Sequence, residues 1–87
     1  MIIPSVHLNG TSKDELLRQI ENVVRVLGEA ISALRQMAPN GRDYYPQGHR
    51  AVYQATDEHS DRIKRLRSVL DELESLYNAI DEQGRKT

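Results

Sequence analysis

Apolar residues return at Leu16, Ile20, Val23, Leu27, Ala30, Leu34 and Met37, in alternating steps of four and three. That is a heptad seam, and it commits the stretch to a long helix lying along a partner helix. Ser12 with Glu15 three residues on forms a capping box, hydroxyl to the Glu15 amide and carboxylate back to the Ser12 amide. Asn9-Gly10 supplies the turn before it. Pro39 ends the helix, because the residue before a proline is pushed out of the α region. A helix is therefore expected over residues 12–38, behind an extended segment over 1–11.

A second seam reads Val52, Thr56, His59, Ile63, Leu66, Leu70, Leu73, Tyr77 and Ile80. It predicts a helix over 50–83, with Gly84 as the C-terminal cap, a frayed tail over 84–87 and a loop over 39–49. At ~1.5 Å per residue the two helices run roughly 40 Å and 50 Å. One connection makes them antiparallel, and the longer second helix overhangs the start of the first. Ile2, Ile3, Val6 and Leu8 are expected to fold back over that overhang, against Leu73, Tyr77 and Ile80. The expected class is all-α, an antiparallel two-helix hairpin with an extended N-terminal segment.

The first helix is apolar beyond its seam. Leu17, Val24, Ile31 and Ala38 line one flank at seven-residue spacing, and Val26 and Ala33 lie on the other. One partner helix covers only a narrow seam, so much of this stripe would face water in a lone hairpin. Eighty-seven residues also leave a single core with little stability to spare. The expected resolution is a homo-oligomer, hairpins pairing into a helical bundle. The alternative is a monomer closed by the N-terminal segment alone.

Composition removes several functions. A net charge of −1 argues against a chain made for the nucleic-acid backbone. The absence of Cys removes thiolate metal sites and Cys nucleophiles. The three histidines lack metal spacing, with no HExxH and no pair four apart. Neither a strained nucleophile turn nor a glycine-rich phosphate loop is present, so the chain reads as non-enzymatic, with no cofactor. "MIIPSVHL" is too short for a secretory or membrane segment, and no apolar run approaches the ~18 residues of a span. No membrane partner is expected, and the expected location is the cytoplasm.

On the second helix, Glu58–Arg62, Asp61–Arg65 and Arg67–Asp71 are four apart and can pair, which reads as a solvated face. Thr56 and His59 occupy seam positions where apolar residues are expected. Either they fix register at a cost in stability, or they line a polar pocket between hairpins with Ala30, Ala33, Ala51 and Ala55.

The connection concentrates recognition chemistry. Arg42, Asp43, Tyr44, Tyr45, His49 and Arg50 lie within it, with Arg35 and Tyr53 alongside. Arginine forks take phosphate or carboxylate, and tyrosine offers an aromatic face with a hydroxyl. Asn40-Gly41 reads as a turn with positive φ that exposes backbone N–H groups. The plain alternative is a corner: the tyrosines cap the hairpin end, Asp43 bonds the turn's amides and Arg42 pairs with Asp43 or a helix C-terminus. Roughly ten residues is long for such a corner. A second polar cluster, His7, Asn9 and Thr11, lies at the opposite end of one hairpin. An antiparallel pair of hairpins would bring it to the neighbour's loop, and the helix start after Ser12 favours anions.

"PSVHLNGTS" before a capped helix and "APNGRDYYPQG" before a second helix resemble a group of small proteins encoded by tailed phages and prophages. That resemblance covers most of the chain and carries no function with it. In architecture alone the hairpin resembles phage anti-CBASS and anti-Thoeris nucleotide sponges, whose loop motifs it does not share. This implies a binding protein in the host cell that sequesters a nucleotide-like signal or blocks a host protein. The alternative is an adaptor hairpin that binds another phage protein through its apolar flank.

Overall fold

The computed structural model describes residues 1–85 and is helical, with no strand among them. Helix α1 spans Lys13–Arg35, a 3-10 helix spans Gly41–Gln47 and helix α2 spans Ala51–Asp81. Of the tail expected over 84–87, residues 86 and 87 lie outside the described residues. Lys13 Nζ donates to the carbonyls of Asp81 (2.6 Å) and Gln83 (2.9 Å), and Tyr77 donates to Glu21 Oε1 (2.7 Å). The start of α1 thus lies against the end of α2, and the long helices are antiparallel. The molecule measures 62 × 22 × 19 Å. No described helix is long and apolar enough to cross a membrane.

Ser12 caps α1, its hydroxyl accepting from the Glu15 amide at 3.1 Å. The reciprocal half of the expected capping box is replaced. The Glu15 carboxylate takes the Arg18 guanidinium and Gln19 Nε2 instead, and the Arg18 bonds hold its carboxyl below the ordinary range. Helix α1 stops at Arg35, short of Pro39, and its last turn tightens through Gln36, Met37 and Ala38 amides bonding three residues back. Such i→i+3 bonds satisfy carbonyls left open at a helix end.

The seam that α1 turns inward differs from the expected one. Leu17 and Ile31 are buried, with Ile20, Val24, Leu27 and Leu34 half-buried. Val23 (45% exposed), Ala30 and Met37 (70% exposed), placed in the core by the periodicity, face outward. Two heptads share Ile20, Leu27 and Leu34 and differ in their other row. Leu17, Val24 and Ile31 carry more carbon than Leu16, Val23 and Ala30. Ile31 over Ala30 alone hides three extra carbons, about 2 kcal/mol at ~0.8 per methylene. The bulkier row wins the partner.

On α2, Leu70 and Ile80 are buried and Val52, Ile63, Leu66, Leu73 and Tyr77 half-buried, along the expected seam. Thr56 departs from it: it is exposed, and its hydroxyl donates to its own helix at the Val52 carbonyl, 2.7 Å away. Ala55, half-buried, takes that level instead. The N-terminal segment does return to the end of α2, but polar bonds hold it. Val6 N donates to Gln83 Oε1 (2.9 Å), and Gln83 Nε2 donates to the Pro4 carbonyl (2.6 Å). Ile3 and Val6 are half-buried, whereas Ile2 and Leu8 are fully in water and cover nothing.

The Tyr77–Glu21 bond ties the helices directly. It raises the Tyr77 pKa, with desolvation and the charges of Glu21 and Asp81 acting the same way. A raised tyrosine favours the folded state while protonated. Its contribution is whole below the ordinary tyrosine value of about 10 and is lost as pH climbs through the higher folded value. Tyr77→Phe should therefore lower stability at neutral pH, with the gap to wild type closing above about pH 10. Urea melts at neutral and alkaline pH check this, and a gap that stayed constant across the range would refute it.

Candidate functional site

The connection is built rather than slack. Pro39 bars further α-helix, and Asn40 restarts the chain by accepting the Arg42 amide at Oδ1 (3.0 Å). The expected positive φ at Asn40-Gly41 is absent; Gly48, at φ 96°, takes the left-handed step that leads into α2. A seven-residue 3-10 helix with Pro46 inside it is long for its kind, since such runs seldom exceed about four residues. Among the described residues Asp43 and Arg42 form no ion pair. Among the described residues, the side chain that caps an amide here is that of Asn40.

Tyr44, half-buried, is a wall shared by two recesses. The first, of about 330 Å3, lies between the end of α1, the 3-10 helix and the first turns of α2. Met37, Pro39, Ala51 and Ala55 give it apolar surface, and Tyr44, Gln47, Gln54, Glu58, His59 and Arg62 give it polar groups. The second, of about 510 Å3, is aromatic and lined by Gly41, Tyr44, Tyr45, Gly48, His49, Val52 and Tyr53. Tyr45 and Tyr53, 76% and 70% exposed, form its open side.

His59 is the anomaly. It is 5% exposed, it sits on the core seam, and its Nε2 is buried without a hydrogen-bond partner. A buried nitrogen left unpaired costs about 1–3 kcal/mol, so proteins seldom keep one idly. Beside it, Arg62 makes no ion pair among the described residues, and the expected Glu58–Arg62 pair does not form. Glu58 accepts a long bond from Gln54 Nε2 at 3.4 Å instead. Asp61–Arg65 does pair, at 3.0 Å; Arg67–Asp71 is not among the ion pairs of the described residues. A guanidinium, a carboxylate, two amides, an imidazole and a phenol ring therefore converge with their bonding capacity largely unspent.

The residues singled out from sequence divide accordingly. Tyr44 and His59 line the first recess, and Tyr44, Tyr45 and His49 the second. Arg42, Asp43, Arg50 and Thr56 are exposed and line neither. Ala51 and Ala55 line the first recess with His59, while Ala30 and Ala33 are exposed on α1. His7, Asn9 and Thr11 sit at the far end of the hairpin, in a tight turn closed by the Gly10 amide on the His7 carbonyl at 3.2 Å. A side chain on Gly10 would come within 2.9 Å of the exposed His7 ring, which would have to turn aside to admit it. One chain does not bring this turn to the recesses, because α1 alone separates them by ~33 Å.

Gln47, Gln54, Glu58 and Arg62 were not among the sequence candidates. The signal was present: Gln54, Glu58 and Arg62 step by four along α2, beside the parallel row Ala51, Ala55 and His59. A polar row next to a row of alanines leaves a groove. No protein-family model, curated protein or solved structure matches the chain.

If Nε2 is unpaired in the free protein, an apolar replacement relieves it. His59→Leu should raise stability by about 1 kcal/mol or more in urea unfolding. A clear loss of stability would mean that the imidazole is satisfied after all.

Proposed function

We propose that the chain is a non-enzymatic binding protein of the host-cell cytoplasm, holding a nucleotide-like ligand in the recesses around Tyr44. The observation that carries this is the buried Nε2 of His59, without a hydrogen-bond partner, on the wall of a recess where Arg62, beside Glu58, makes no ion pair among the described residues. The volume of about 330 Å3 lies within the range of small-molecule sites, roughly 300–1,000 Å3. The chemistry suits the class. Gln47 and Gln54 each offer a donor and an acceptor to a base edge, Tyr44 offers a stacking face, and Arg62 suits a phosphate. The aromatic recess across Tyr44 has room for a second ring system. Sequestration of a signal fits a site that binds without a nucleophile.

A second reading, an adaptor hairpin that gives its apolar flank to another protein, is favoured by the exposure of Val23, Val26 and Met37. A thermal-shift screen against mono-, cyclic and ADP-ribose-derived nucleotides separates the two. A stabilisation lost in Arg62→Ala, Tyr44→Ala and His59→Leu but kept in Arg42→Ala supports the ligand reading. Silence across the panel, with a protein recovered by pulldown, supports the adaptor. Equal loss in Arg42→Ala would move the site away from the recess.

A further inference from the structure

Helix α1 carries a second, mainly apolar seam, with Leu16 half-buried and Gln19 as a polar member. Leu16, Gln19, Val23, Val26, Ala30, Ala33 and Met37 are one residue out of step with the inward row, so they run parallel to it about 100° round the helix. Val23, Val26 and Met37 are 45%, 47% and 70% exposed, and both alanines are open to water. The chain is overexposed as a whole. A folded monomer of 9.9 kDa shows about 5,200 Å2 by the usual scaling, and this one shows 6964 Å2, about 1,800 Å2 more. A standard interface hides about 800 Å2 from each partner, so the excess is ample for one.

We propose that a second copy of this chain packs on this seam, α1 against α1 and antiparallel about a two-fold axis, making a four-helix bundle. The side-chain sizes choose the occupant. With the whole of α1 overlapped, Leu16 meets the second copy's Ala33, Gln19 its Ala30, and Val23 its Val26. Every small residue faces a larger one, and a two-fold axis makes each such layer occur twice. At the seam's edge Glu15 falls near Gln36 and Asn22 near Glu29, so no like charges oppose. A parallel pairing would stack alanine on alanine at one end and glutamine on glutamine at the other. The antiparallel register also sets Met37, on the rim of the first recess, beside the second copy's Ser12. The turn of His7, Asn9 and Thr11 from one chain then closes on the recess of the other.

The chain has no cysteine, so single introduced thiols report the pairing. Sedimentation should give twice 9.9 kDa for the wild type and 9.9 kDa for Ala30→Glu, whose helicity stays unchanged because that position is exposed. Leu16→Cys mixed with Ala33→Cys should form a disulfide-linked dimer on oxidation. Neither variant should do so alone, since like positions lie ~25 Å apart and a disulfide needs Cα atoms within about 7 Å. A wild type that stays at 9.9 kDa, a dimer indifferent to Ala30→Glu, or cross-linking of each variant with itself would overturn the inference. A nucleotide-binding monomer would overturn it too, while leaving the ligand reading standing.

Discussion

The fold depends on one narrow apolar contact between α1 and α2, and on which row of α1 wins it. Few side chains are buried there among the described residues: Leu17, Ile31, Leu70 and Ile80, with His59 among them. Choosing the row of Leu17, Val24 and Ile31 fixes the rotation of α1. That rotation leaves Val23, Val26 and Ala30 outside and sets Met37 on the rim of the first recess. The exposed apolar row of α1 and the candidate site are thus consequences of a single packing choice.

The thinness of that contact explains the polar fastenings. Lys13 reaches the carbonyl of Asp81, the last residue of α2, and that of Gln83 just beyond it, where a cation is favoured by the helix dipole as well as by the bonds themselves. Gln83 clamps the N-terminal segment from both its amide atoms. These ties close one end of the hairpin. The other end is closed by a 3-10 helix that carries little buried apolar surface, and there His59 sits with an unspent nitrogen. Stability is concentrated away from the recesses, and unsatisfied chemistry is concentrated in them. Such a division is expected of a site that gains its missing bonds from a ligand.

Much of the architecture was legible because heptad spacing, the Ser12 cap and Pro39 are local signals. The α1 register was not, since Leu16–Val23–Ala30 and Leu17–Val24–Ile31 obey the same period, and only the volume of Ile31 against Ala30 separates them. Thr56 was misplaced for a related reason: Thr56 and Ala55 compete for one level, and a hydroxyl can bond its own helix. At the site, His59 was recoverable from its polar place on an apolar seam, and Tyr44 from the cluster in the loop. Arg42 and Arg50 drew notice by crowding in the loop, yet proximity in sequence says nothing about which way a turn presents them. Arg62 was hidden by a plausible partner, Glu58, whose pairing in an isolated helix would gain only a few tenths of a kcal/mol. Such a margin is easily overridden.

The inward row is the claim on which the rest stands. Unfolding free energies of Ile31→Ala and Val23→Ala, compared in dilute solution, test it most directly. The account predicts a loss of about 2–5 kcal/mol for Ile31→Ala, the range for emptying a buried Leu or Ile site, and a much smaller loss for Val23→Ala. The reverse order would contradict it.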